Sequence, residues 1–167
     1  GGYQPGFALN AVIGQGDVNA TPLQVAMAYA AIANGGTVYE PKVVRRIERP
    51  DGTSVEEFLP TVKSRISVPP EALARVREGL ERVVEAPGGT AFRHRLAQVK
   101  VAGKTGTAQV VRIGKVRKKK EEMDFFERDH AWFAAYAPAE DPRIAVVVLN
   151  EHGGSGSSDA APIAMRI

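Results

Sequence analysis

The chain has 167 residues, 44% of them hydrophobic and 25% charged, which suits one domain with a sizeable core. Its longest apolar candidate for a span, Val25 to Ala33, is nine residues and contains Tyr29, too short to cross a bilayer. The absence of cysteine excludes disulfides and thiolate metal sites, and the net charge of +3 is mildly basic, with much of the excess in one run, KVRKKK, at Lys115 to Lys120.

The opening, GGYQPGFALN, reads as the middle of a loop with no charged-then-apolar leader, so the chain is expected to be a piece of something longer. A Gly14-Gln15-Gly16 lead then precedes TPLQVAMAYAAIANGG. Thr21 is placed to cap a helix, Pro22 suits its first position, Gln24 completes a capping box, and Asn34 with Gly35 predicts a left-handed end. Apolar residues fill nearly every position from Leu23 to Ala33, so burial on most sides is expected. VVRRIERPDGTSVEEF places β-branched residues around Pro50-Asp51-Gly52 and predicts an exposed β-ribbon. Leu73, Val76, Leu80, Val83 and Val84 recur at helical spacing, giving a half-buried amphipathic helix over Pro70 to Val84 that stops at Pro87-Gly88-Gly89.

Three strands follow, around Val99 to Val111, Ala131 to Ala137 and Arg143 to Asn150, the last two joined by a short Pro138 to Pro142 link. A polar loop, Arg112 to Asp129, separates the first two strands. GGSGSS reads as a turn before a short helical tail, APIAMRI. The fold class is therefore α/β, an antiparallel sheet of at least three strands packed by helices, with no internal repeat.

The chemistry concentrates in VAGKTGTAQV, residues 101 to 110. A phosphate-binding loop would need a glycine five positions before the Gly-Lys pair, where Gln98 stands, and a helix where the valines favour a strand. On a strand, each residue has a use in acyl transfer to or from a chain ending in a carboxylate. Lys104 supplies a fixed cation, Thr105 and Thr107 supply hydroxyl donors, and the Thr107 N–H faces a developing oxyanion. Gly106 leaves room for a substrate lying against the strand edge.

GQGDVNATPLQVAMAYAAIANGG, APGGTAF, AGKTGTAQVV and RDHAWFAAYAPAEDPRIAVVVLNEHGG occur in that order over nearly the whole chain. Together they closely resemble the C-terminal part of the transpeptidase domain of class B penicillin-binding proteins, most like the elongation-type penicillin-binding protein 2 group. That family's signature is S-x-x-K, an S-x-N type motif and K-T-G. The resemblance implies a beta-lactamase-like fold in which Lys104, Thr105 and Gly106 are the third motif. It implies that the Thr107 N–H joins the oxyanion hole while its hydroxyl contacts the substrate carboxylate, and that the Thr21 to Asn34 helix lies next to the floor of the cleft. It further implies a serine-type D,D-transpeptidase acting on the D-Ala-D-Ala end of a peptidoglycan stem peptide, trapped by beta-lactams. Such a protein works with cell-wall elongation proteins on the periplasmic side of the bacterial inner membrane, anchored by an N-terminal helix upstream.

The departures from the pattern matter too. None of Ser54, Ser64, Ser67, Ser155, Ser157 and Ser158 has a lysine three positions later or an asparagine two later. The nucleophile and its base are expected upstream, and the isolated chain is expected to be inactive. Ser157-Ser158-Asp159 mimics an S-x-D pattern but follows the KTG stretch, and reads as a loop. In the family the last strand pairs with an N-terminal strand not present here, so Arg143 to Asn150 is expected to show an apolar edge that self-associates.

Two alternatives stand beside this reading: the same fold from a penicillin sensor or beta-lactamase, and a non-catalytic module whose basic loop recruits a partner. The basic run is followed at once by Glu121, Glu122, Asp124 and Glu127 and has no interleaved aromatic, so it reads as a solvated loop with no nucleic-acid partner. Phe125 and Phe126 are expected to anchor that loop to the body. His94, His130 and His152 share no metal-ligand spacing, and neither metal nor cofactor is called for. His130, Trp132 and Phe133 read as packing and hydrogen bonding beside the KTG strand, and the GQG lead reads equally as groove lining or tight backbone packing.

Overall fold

A computed structural model describes residues 5–12, 14, 19–111 and 120–167. The opening residues are not a loop throughout: Pro5–Val12 is a helix, α1. Proline pre-sets φ for a first helical position, and the alanines and leucine that follow favour the helix. Of the GQG lead only Gly14 lies within the described residues; it takes φ 75°, and an added Cβ there would meet nothing within 4 Å among those residues.

Helix α2, Pro22–Ala33, starts as its sequence predicts. The Thr21 hydroxyl accepts from the Gln24 amide at 3.2 Å, and the Gln24 side chain accepts from the Thr21 amide at 2.8 Å. At the other end the left-handed residue is Gly35 (φ 89°), not Asn34 (φ −97°). Asn34 is used differently, its side-chain amide exchanging two 2.8 Å hydrogen bonds with the backbone of Thr37. Burial of α2 is also narrower than expected. Ala31 and Ala33 are buried, but Leu23 is 55% exposed, because among the described residues only one side of the helix is covered, by the sheet and α3.

Beyond α2 lies an arm of two small antiparallel pairs. Strand β1, Thr37–Tyr39, pairs with β4, Val62–Arg65. Strand β2, Arg46–Glu48, pairs with β3, Ser54–Glu57, around the Pro50-Asp51-Gly52 turn. The ribbon is the expected one, exposed along its length; the β1–β4 pair was not anticipated. Gly52 takes φ 82°, and the Asp51 carboxylate accepts from the Thr53 amide at 2.9 Å, which fixes the turn.

Helix α3, Pro70–Glu85, packs on strand β5, Ala102–Ala108, through Leu80, Val83 and Val84, while Val76 of the same stripe stays 46% exposed. Strand β5 pairs with β6, His130–Ala137, which pairs with β7, Ile144–Asn150, giving a three-stranded antiparallel sheet in the order β5-β6-β7. Alternation along β6 sorts the core. Ala131, Phe133 and Ala135 face one cluster with Val84, Ala91, Val101, Ala160, Ala161 and Ala164. Tyr136 faces the other, with Ala33, Ala102, Tyr29 and Leu80. Burial there pushes the Tyr29 hydroxyl up to about 12, with Tyr136 beside it adding to the shift.

The stretch after β7 departs from the expected loop. Gly156–Ala160 winds as a π-helical turn that runs into a short helix, α4, Ala161–Ala164. Ser157, Ser158 and Asp159 all belong to that turn. It forms because Ala160 and Ala161 bury completely under the sheet, and because Asp159 accepts from the Ser155 amide at 3.0 Å.

Candidate functional site

Strand β5 holds Lys104, Thr105, Gly106 and Thr107 in extended conformation, as a strand and not as the start of a helix. Their cross-strand partners are Ala134, Phe133, Trp132 and Ala131 in that order. Lys104 and Gly106 therefore share the face of Trp132 and Ala134, the side on which α2 packs against β6 and β7. Thr105 and Thr107 share the opposite face with Phe133 and Ala131, over the cluster that receives α4. Among the described residues no strand pairs with the outer edge of β5.

Lys104 is exposed, and its ammonium donates to the Thr105 carbonyl at 2.8 Å. A Cβ at Gly106 would meet the Trp132 side chain, at 3.2 Å from its Cβ, closer than ordinary van der Waals contact.

Several neighbours of these residues were not foreseen as part of the site. The Thr90 and Thr105 hydroxyls lie 2.8 Å apart. Ser157 Oγ donates to the Thr90 carbonyl, and the Gly156 amide donates to Thr107 Oγ1 at 3.5 Å. Gly156 sits so close beneath the sheet that a Cβ would come within 2.3 Å of both the Gly106 and Trp132 carbonyl oxygens. The signals were there, APGGTAF for Thr90 and GGSGSS for the π turn. Read alone, however, each has the composition of a mere loop.

A second cluster braces the end of β6. His130 lies opposite Ala108 in the register, and its Nδ1 accepts from the His152 amide at 2.9 Å. His152 takes φ 55° and its Nδ1 lies 3.1 Å from the Arg128 carbonyl, so Nδ1 carries the donated proton. Phe125 and Phe126 pack edge to face at 5.3 Å and both lie over His152. They anchor the loop by ring contact and not by burial, since Phe126 remains 76% exposed. The basic run lies outside the described residues except for Lys120, whose ammonium pairs with Asp159 at 2.6 Å. Burial pushes the Asp159 carboxyl up, but hydrogen bonds from Lys120, Ser158 and the Ser155 amide outweigh it and hold the group below the ordinary value.

Comparison with known proteins places the chain. Residues 2–167 match the penicillin binding protein transpeptidase domain family. The chain is 39% identical over 172 residues to the peptidoglycan D,D-transpeptidase MrdA of Haemophilus influenzae, covering 97% of this chain and 25% of that protein. Among solved structures, the imipenem acyl-enzyme complex of penicillin-binding protein A from M. tuberculosis superposes with a TM-score of 0.70 at 33% identity, over 93% of this chain and 32% of that one. The complex of penicillin-binding protein PBP2 with MreC from Helicobacter pylori gives 0.72 at 29% identity, over 98% of this chain and 27% of that one. The chain thus spans about a quarter of the length of the MrdA relative it matches. With a matching family pattern across nearly every residue and the same fold in solved members, the chain belongs to the penicillin-binding protein transpeptidase domain family.

Proposed function

We propose that this chain is the C-terminal portion of the transpeptidase domain of a longer peptidoglycan D,D-transpeptidase, and supplies the strand against which substrate is held. The observation that carries the proposal is the β5 edge, with which no described strand pairs and along which Lys104, Thr105 and Thr107 stand around Gly106. Lys104 provides the fixed cation, and the Thr105 and Thr107 hydroxyls donate to the terminal carboxylate of a D-Ala-D-Ala stem peptide or to that of a beta-lactam. The Thr107 N–H contributes to the oxyanion hole, and Gly106 admits the substrate backbone. The chemistry is acyl transfer on a serine that precedes this sequence. Its Oγ bonds to the penultimate D-Ala carbonyl as the C–N bond to the terminal D-Ala breaks and that D-Ala leaves with a proton. The amine of a neighbouring stem then bonds to the acyl carbon as the serine C–O bond breaks, and the proton that the amine gives up goes to the serine Oγ.

The relative in complex with MreC supports an assignment to cell-wall elongation, with elongation proteins as partners. The working place is the periplasmic face of the bacterial inner membrane, with an upstream helix as anchor. No helix among the described residues is long and apolar enough to cross a membrane.

Intact mass spectrometry after incubation with a reactive penicillin tests the proposal, on this chain beside a version extended upstream through the whole domain. The expected result is one covalent adduct on the longer protein only, lost in Lys104→Ala. Acylation of the short chain at a defined serine would overturn the division of the site. The isolated chain is also expected to self-associate through β7, whose outer edge pairs with no strand among the described residues. Light scattering that returned a strict monomer would count against that expectation.

A further inference from the structure

We propose that Thr90 is a positioning residue for the Thr105 hydroxyl, and through it for the carboxylate end of the substrate. The inference rests on the reading above, in which Thr105 donates to that carboxylate. A hydroxyl has one proton and two lone pairs, so Thr105 has a single proton to give. With Thr90 and Thr105 oxygens 2.8 Å apart, Thr105 spends its proton on Thr90 or receives one from it. When an anion arrives at the β5 edge, Thr105 turns its proton to the anion and Thr90 becomes the donor to Thr105. The two hydrogen bonds then run in series toward the negative charge, each polarising the next. Thr90 thereby selects the orientation in which Thr105 is a donor.

The backbone around Thr90 is fixed from three directions, so this contact is built into the fold. A Cβ at Gly89 would come 2.3 Å from the Val83 carbonyl oxygen and 2.6 Å from that of Arg82, so only glycine lets the chain fold back over the end of α3. On the other side, Ala91 is fully buried and its amide donates to the Val83 carbonyl at 3.0 Å. Ser157 Oγ donates to the carbonyl of Thr90 itself, tying it to the π turn. Thr90 is exposed and β-branched, so its χ1 has few choices, and the one it takes brings its hydroxyl to Thr105.

The test uses the full-length protein and compares acylation rate constants for a penicillin and for its methyl ester, in which the carboxylate is blocked. Thr90→Val is expected to slow acylation by the free acid about fivefold, the value of one hydrogen bond. It should leave the ester rate within about twofold of wild type, and Thr90→Ser should restore the free-acid rate. An unchanged free-acid rate in Thr90→Val overturns the inference and leaves the functional reading intact. Equal losses on both substrates mark a merely structural role and also overturn it. A wild-type protein that neither compound acylates overturns the functional reading, and the inference with it.

Discussion

The arm and the three-stranded sheet are both built from antiparallel pairs, yet they differ in what holds them. In the arm, Val43 is fully exposed and Leu59 is 68% exposed. Polar contacts dominate there: Lys42 reaches the Leu59 carbonyl and the Thr61 hydroxyl, and Arg46 pairs with Glu48. In the sheet, Phe133, Ala131 and Ala102 lose all contact with water. Strand propensity and a good turn are sufficient to form a ribbon. They are not sufficient to make a core, which needs helices on the faces; among the described residues β5-β6-β7 has them, whereas β2 and β3 lie exposed along their length. The candidate site sits on the covered element, where its backbone cannot drift.

The sharpest break of this comparison is one truncation in each region. Phe133 lies opposite Thr105 and packs into the cluster under α4, so Phe133→Ala removes a fully buried ring. A loss of about 3–5 kcal/mol in unfolding free energy is expected, measured by urea denaturation. Val43→Ala in the arm deletes a side chain already in water and should change stability by less than about 0.5 kcal/mol. Comparable losses at the two positions would mean that the arm contributes to the cooperative unit after all.

The same contrast explains what was legible in the sequence. Helix α3 and the order of the last three strands could be read because periodicity and turn residues are local signals, and α2 announced its start through Thr21 and Gln24. The β1–β4 pair could not, because Thr37–Tyr39 is three residues long and its partner lies beyond the ribbon. At the site, the KTG residues were visible as a word. Thr90, Ser157 and Gly156 were not, because their meaning is a distance across the fold: Ser157 and Thr90 are 67 positions apart. The π turn was missed for a related reason. A glycine and serine run normally marks a loose turn, and it winds here because two buried alanines and Asp159 pull it under the sheet.

Glycine substitutions sharpen the comparison at a smaller scale. In Gly156→Ala the new methyl would stand 2.3 Å from two carbonyl oxygens of the sheet, so the π turn has to lift away from β5. A destabilisation of about 1–3 kcal/mol is expected, the usual cost of overpacking, with the Ser157 contact to Thr90 disturbed. Gly52→Ala meets nothing within 4 Å and carries only the strain of its positive φ, about 1 kcal/mol. Thermal unfolding of the two variants, with backbone amide exchange at β5, separates the cases. Exchange at β5 should rise in Gly156→Ala and stay at wild-type level in Gly52→Ala.

The smallest effect concerns two carboxylates, one in each region, both held below their ordinary values. For Asp51 the cause is the hydrogen bond from the Thr53 amide two residues away. For Asp159 burial opposes ionisation, and the Lys120 hydrogen bond, with those from Ser158 and Ser155, overcomes it. In either case the folded state prefers the charged form, so the stabilisation is fully present above the unfolded carboxyl value of about 3.9 and is lost as pH falls through the lower folded value. The difference lies in what the charge holds. The Asp51 partner sits in its own turn, which an unfolded chain re-forms in part, so protonation there scarcely shifts global unfolding. Asp159 joins Lys120 to the π turn across 39 positions, and that tie exists only in the folded protein. Melting temperature followed from about pH 6 to about pH 2 should therefore fall more steeply in wild type than in Asp159→Asn, the two curves converging at the acid end. Asp51→Asn should run parallel to wild type throughout. Parallel curves for Asp159→Asn would show that the Lys120 pair is too well solvated to matter, and that the arm and the site region respond to acid alike.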